Sequence, residues 1–387
     1  MGVFYRILTG LAGTDSHSQP RRRLRVGVLF GGRSGEHEVS LQSARAVMRA
    51  LEQAGHEVVP IGITKQGRWL VSGNPLEALA SGRPHGEQPA TMLPEPGQTG
   101  LVALPRGEGS PPALGSLDVL FPVLHGTYGE DGTVQGLFEL AGVPYVGSGV
   151  LGSALGMDKL VQKTLWRGLG LPVVDFLQLE RCRVETDADA ALDEIESGLG
   201  YPCFCKPVNL GSSVGVHKAH DRAELHAGLL DAARYDAELL VERGVDAREL
   251  ECSVLGNREP IASVVGEVVS AEEFYSYRAK YLEVGSRTVI PAEIPAETAD
   301  QVRQLAIRAF RSVKATGLAR VDFFLERGSG RLYLNEINTM PGFTQISMYP
   351  KLWEASGLSF PELVDRLVQL GLERFEERAR NETSYGG

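Results

Sequence analysis

The chain has 387 residues, 43% hydrophobic and 23% charged, with a formal net charge of −10. That is a globular composition of a length suited to two or three domains. The acidic balance argues against a general nucleic-acid binder, and no apolar run approaches the roughly 20 residues that cross a bilayer. The only basic run, Arg21-Arg22-Arg23, reads as a solvated tail element. The first residues lack a basic n-region and an adequate apolar core, so no secretory signal is expected. Cys182, Cys203, Cys205 and Cys252 have the spacing of neither a zinc site nor a disulfide framework, which points to a reducing cytoplasm.

In chain order, residues 1–23 read as a disordered tail. Residues 24–30 read as a buried strand, followed by a glycine turn at Gly31-Gly32 and Gly35. Apolar positions at Val39, Val47, Met48 and Leu51 have helical spacing, and residues 57–63 form the next strand, which is a βαβ opening. Residues 72–116 are rich in Pro, Gly, Ser and Glu and are expected to be an irregular insertion. Residues 117–124 return to a buried strand that ends at His125-Gly126.

From about residue 148 the pattern changes. A helix spans 157–166 and strands span 171–179 and 201–208. The loop Gly211-Ser212-Ser213-Val214-Gly215 leads to a strand at 216–219. Asp221 is expected to cap a helix to about 231. Residues 238–245, 249–255 and 259–265 are sheet-like, and 272–282 is a tyrosine-rich loop. A helix over 299–316 precedes a hairpin, and an amphipathic helix over 359–380 closes the chain.

The hairpin concentrates polar chemistry. Residues 319–325 alternate polar and apolar, as do the carboxylate and amide of Glu336 and Asn338 in the returning strand, so each polar pair shares a face. A three-residue loop at Gly328-Ser329-Gly330 places Arg327 opposite Arg331, Asp322 opposite Glu336 and Arg320 opposite Asn338. Acid and amide oxygens are the hard ligands Mg2+ uses beside nucleotide phosphates. The residues alone leave a solvated face of ordinary ion pairs as the alternative.

The loop 211–215 lets backbone N–H groups approach an anion, although it matches no Walker pattern and an ordinary turn is the alternative. Lys159 and Lys206 are either surface lysines or clamps on a triphosphate. Glu242 ends an apolar strand and is either an exposed acid or an acceptor from a ribose or purine.

Taken in order, Glu36-His37-Glu38-Val39-Ser40, His125-Gly126 with Gly129-Glu130-Asp131-Gly132, Met157-Asp158-Lys159, Lys206-Pro207 with the 211–215 loop, Lys280-Tyr281, Arg320 with Asp322, and Glu336 through Asn338 to Gly342, Ser347 and Met348 resemble the D-alanine–D-alanine ligases over about residues 24–375. The resemblance implies an α/β fold with α+β character in its ATP-grasp part, in three domains. These are an N-terminal α/β domain at 24–148, a central ATP-grasp subdomain at 149–238 and a C-terminal one at 239–387.

The resemblance also implies a cytoplasmic homodimer using ATP, two Mg2+ (or Mn2+) ions and D-alanine in peptidoglycan synthesis, with neither nucleic acid nor membrane as partner. Asp322, Glu336 and Asn338 match the metal ligands. Lys159, Lys206, Gly211, Ser212, Ser213, Val214, Gly215, Glu242, Val245, Glu249 and Lys280 match nucleotide-binding positions. Glu36 matches the acceptor of the first substrate's ammonium group, with Ser212 and Tyr281 as its relay partners. Arg320 and the Gly342 N–H match the groups that hold the reacting carboxylate and oxyanion. His125 lies near the first substrate, and Ser347 and Met348 match the pocket of the second carboxylate. The 211–215 and 272–282 loops are then lids.

Two competing readings are weighed against this. One is a D-alanine–D-lactate or D-alanine–D-serine ligase on the same scaffold, which Tyr281 and the Ser347-Met348 pair disfavour. The other is a catalytically dead nucleotide-binding module, which would lack a metal ligand or Arg320.

Overall fold

The structure is a computed structural model that describes residues 22–71, 73–82, 88–96, 100–104, 113–269 and 287–382. Three sheets carry it. The first has seven strands, beginning with β1 (Arg25–Gly31) and β2 (Glu57–Ile63), with helix α1 (His37–Gln53) between them. It continues through β3 (Trp69–Val71), helix α2 (Pro75–Ala80), β4 (Gln88–Met92), β5 (Gly100–Ala103), β6 (Ala113–Ser116) and β7 (Val119–Pro122). Strand β1 pairs in parallel with both β2 and β7, while β3 to β6 extend the sheet antiparallel. The stretch expected to be an irregular insertion therefore contributes a helix and three sheet strands. Its turn residues mask short strands such as β5, whose apolar positions are too few to show a period.

Strand β1, between β2 and β7, is buried on both faces, which explains its unbroken apolar run. One face packs Val26, Val28 and Phe30 on Ala44, Val47 and Leu51 of α1. The other packs Leu29, with Leu120, on Phe138 of helix α3 (Thr133–Ala141). Helices α4 (Val150–Met157) and α5 (Lys159–Gly168) then lead into an antiparallel four-stranded sheet. It consists of β8 (Phe176–Glu180), β9 (Cys203–Pro207), β10 (His217–Ala219) and β11 (Glu238–Arg243), with helices α6 (Arg181–Thr186), α7 (Ala188–Gly198) and α8 (Arg222–Ala232) packed on it. Burial pushes the Cys203 thiol up to about 11 and those of Cys205 and Cys252 up to about 12, as expected of inert core thiols.

The third sheet is antiparallel and has five strands: β12 (Ala247–Gly256), β13 (Ile261–Val269), β14 (Arg287–Val289), β15 (Gly317–Glu326) and β16 (Leu332–Asn338). Helix α9 (Ala296–Ser312) seals one face with Val302, Ala306 and Phe310. After β16 come α10 (Met348–Ala355) and α11 (Phe360–Ala379); α11 is opened by a Ser359–Glu362 capping box and packs Leu363, Val364 and Leu367 into the β1–α1 core.

The β15–β16 turn differs from expectation. Glu326 N–H bonds to Arg331 O at 2.9 Å, so residues 327–330 form the loop. A bulge then shifts the register between Asp322 and Phe323, with Phe323 opposite Leu334 and Asp322 opposite Glu336. The longer loop and the extra residue at Asn335 offset one another. Asp322 faces Glu336, and Arg320 faces Asn338, as the alternation predicts.

Candidate active site

The three sheets converge on a cluster of charge. On the β15–β16 face, the Arg320 guanidinium forks onto both Asp322 oxygens at 2.7 Å and its Nε lies 3.0 Å from Glu251 Oε2. Asn338 Nδ2 donates to Asp322 Oδ2 at 3.1 Å. Burial alone would lower the Arg320 pKa, but Asp322 and Glu251 hold it well above the ordinary value, so the guanidinium stays charged. Lys159, at the first turn of α5, donates from Nζ to Leu210 O at 2.6 Å and sits 3.9 Å from Glu336 Oε2.

Two carboxylates, an amide oxygen and flanking cations are an open half-cage. No group of three His, Cys, Asp or Glu side chains forms a closed metal cage among the described residues. The donor set fits Mg2+, which takes one or two carboxylates and completes its shell with phosphate oxygens and water.

Behind this face, Glu242 at the end of β11 is buried and gripped by Lys206 Nζ at 2.5 Å and by the wholly buried Lys163. Burial raises the Glu242 carboxyl, but the two ammonium groups outweigh it and hold it below the usual range; burial pulls Lys163 below its own. Of the alternatives open in the sequence, the exposed acid is ruled out. Both Glu242 oxygens face lysines, so its carboxylate locks a lysine pair. Val245 lies in the link from β11 to β12, and Glu249 is half-buried on β12.

The 211–215 loop joins β9 to β10 and reaches the first sheet. Ser212 and Ser213 both adopt left-handed backbone, with φ of 52° and 56°. This turns the Ser212 hydroxyl to donate to Glu36 Oε1 across 176 residues. Glu36 stands at the N-cap position of α1 with its side chain free of any cap hydrogen bond and turned to Ser212. A Cβ on Gly211 would stand 2.8 Å from Glu36 Oε2 and one on Gly126 2.7 Å from it, so glycine at both positions makes room for this carboxylate.

The Gly126 turn also carries His125 and Glu130. His125 is buried, with Nδ1 2.9 Å from Met340 O and Nε2 3.1 Å from Ser43 Oγ. Burial lowers its pKa against the opposing charge of Glu36. Burial and the Glu36 charge push the Glu130 carboxyl up to about 8. Ser347 opens α10, and its Oγ accepts from Thr344 N–H at 3.1 Å. Met348 is buried against Val268 and Leu352. Lys280 and Tyr281 lie outside the described residues.

Glu36, Lys159, Lys206, the 211–215 loop, Glu242, Arg320, Asp322, Glu336 and Asn338 thus line one continuous region. The sequence pattern did not single out Lys163, Glu251 or Ser43, and Glu130 stands in a family motif there without a role. Lys163 follows Lys159 by one helical turn, and Ser43 is a polar residue on the apolar face of α1, so both left a faint periodic signal.

A family model described as D-ala D-ala ligase N-terminus matches residues 25–148, and one described as D-ala D-ala ligase C-terminus matches residues 165–369. The chain belongs to the D-alanine–D-alanine ligase family. A D-alanine–D-alanine ligase of Heliobacterium modesticaldum is 52% identical over 359 residues, 92% of this chain and 97% of that protein. The D-alanine–D-alanine ligase structure from Coxiella burnetii superposes with a TM-score of 0.77 at 36% identity, covering 92% of this chain and 98% of that one. The VanG D-Ala:D-Ser ligase of Enterococcus faecalis gives 0.79 at 37%, covering 90% and 100%. This ligase is therefore an ATP-dependent enzyme of ATP-grasp architecture acting on small molecules. No helix among the described residues is long and apolar enough to cross a membrane.

Proposed function

We propose that the enzyme joins two D-alanine molecules into D-alanyl-D-alanine, with ATP giving ADP and phosphate, for peptidoglycan precursors in the cytoplasm. The γ-phosphoryl group passes to the carboxylate of the first D-alanine, giving an acyl phosphate. The amine of the second adds to the acyl carbon, the C–O bond to phosphate breaks, and the amine proton is lost. The single observation that carries this reading is the meeting of Glu36 and Ser212, a carboxylate ready for an ammonium group, with the acid–arginine face of β15–β16 by way of Lys159, which bonds Leu210 O just before the loop and sits 3.9 Å from Glu336 Oε2.

In this reading Glu36 holds the first D-alanine by its ammonium group, and Tyr281 joins Ser212 in orienting it. Arg320 and the Gly342 N–H hold the reacting carboxyl and its developing oxyanion, with His125 beside them, while Ser347 and Met348 receive the second carboxylate. Lys159, Lys206, Val245, Glu249, Lys280 and the 211–215 loop hold the nucleotide, and Glu242 fixes Lys206. Asp322, Glu336 and Asn338 would hold two Mg2+ or Mn2+ ions, which when bound neutralise phosphate charge. We further infer a homodimer, and three domains at 24–148, 149–238 and 239–387; the three sheets support that division, except that β11 pairs with β8 and β9 and carries the central sheet past residue 238 to Arg243.

The test is ADP release and dipeptide formation with D-alanine, D-serine or D-lactate as second substrate. Wild type should form D-alanyl-D-alanine preferentially, and Glu336→Ala should still bind nucleotide while losing turnover by about 10²-fold or more. ADP release that ignores D-alanine would overturn the reading, and near-normal turnover by Glu336→Ala would overturn the metal assignment.

A further inference from the structure

The segment after β16 is held by side chains from a distant part of the chain. Met340 N–H donates to Glu130 Oε1 at 3.1 Å. Met340 C=O faces His125 Nδ1 at 2.9 Å, and Phe343 N–H donates to Ser43 Oγ at 3.2 Å. A carbonyl only accepts, so Nδ1 of His125 carries the proton. The neutral ring favoured by burial then accepts the Ser43 hydroxyl at Nε2, 3.1 Å away. One chain of hydrogen bonds thus runs from Phe343 through Ser43 and His125 back to Met340. Glu130 is anchored in turn, since its Oε2 accepts the Gly126 N–H at 2.6 Å. Pro341 has no N–H. Within 340–343, Gly342 carries the one N–H without an acceptor among the described residues.

We propose that Ser43 and Glu130, acting with His125, are positioning residues that hold the 340–343 turn so that the Gly342 N–H is preset for the oxyanion. They touch backbone, not substrate. The proposal rests on the reading of Gly342 given above. A backbone donor stabilises developing charge only if it needs no reorganisation when the charge appears. A Pro-Gly turn has few ties of its own, so its order comes from outside: from α1 by Ser43 and from the 125–130 turn by His125 and Glu130. The same ties make a complete oxyanion site depend on the first sheet being docked against the third.

The test uses the full-length enzyme with Ser43→Ala, Glu130→Ala and Glu130→Gln. Its readouts are kcat, KM for ATP and D-alanine, inhibition by a tetrahedral phosphinate dipeptide analogue, and thermal midpoint. Ser43→Ala and Glu130→Ala should lower kcat about 10- to 100-fold and weaken the analogue in parallel, with the ATP KM within about twofold. Glu130→Gln keeps one acceptor oxygen, which can serve Met340 N–H or Gly126 N–H but not both, and should recover part of the loss. If Glu130→Ala does not fold, Ser43→Ala and Glu130→Gln carry the comparison. Unchanged kcat, or an analogue affinity that moves only as far as the KM for D-alanine, overturns the clamp. A wild type that makes no dipeptide overturns the functional reading instead.

Discussion

At the scale of single residues, the Glu36 carboxylate dictates what can stand beside it. Gly211 needs no unusual backbone, so an alanine there strains nothing but places a methyl against Glu36 Oε2. Gly211→Ala should raise KM for D-alanine about 10-fold or more, the worth of a charge-assisted hydrogen bond, at unchanged thermal midpoint. An unchanged KM would remove Glu36 from the substrate site. Glu130 carries a pH signature. Its carboxyl is pushed from 4.5 up to about 8 by burial and by Glu36. A folded pKa above the unfolded one favours folding in the protonated form. That contribution is complete below about 4.5 and fades as pH rises through about 8. The thermal midpoint of wild type relative to Glu130→Gln should therefore fall between pH 5 and 9; a constant difference would show that Glu130 titrates normally.

At the scale of elements, β15–β16 shows how much one pattern carries. Alternation alone put Arg320, Asp322, Glu336 and Asn338 on one face. The bulge at Asn335 was not legible: alternation alone predicts a regular hairpin with a three-residue loop, and the extra residue shows only in the pairing of Phe323 with Leu334. Helix α11 was legible by its period, but its partner was not. It docks on the first sheet, where Asp365 Oδ1 meets the buried His56 Nε2 at 3.0 Å. Asp365→Ala leaves that imidazole unpaired and should cost about 1–3 kcal/mol, seen as a lower thermal midpoint and faster hydrogen exchange in α11 and α1. Equal stability would mean the pair contributes nothing to docking.

At the scale of the whole molecule, the site exists only where three sheets meet, so ligand and fold stability are linked. Mg2+ with ADP should raise the thermal midpoint, by about 2.7 kcal/mol of stability at a concentration 100 times the dissociation constant. The gain should shrink on adding EDTA and in Glu336→Ala. A gain indifferent to both would place the cation elsewhere.

The sequence by itself determined the parallel core strand β1, the polar face of the hairpin and the ordered motifs that mark the family, because these depend on local period and on chemistry tied to residue type. Only the tertiary structure decided that Lys163 shares Glu242 with Lys206, that residues 88–116 add strands to the first sheet, and that Ser43 and Glu130 grip a turn about 210 to 300 residues away. Those are long-range pairings between buried polar groups. Each is set by which surfaces the sheets bring together, and a single chain segment carries no periodic trace of its distant partner.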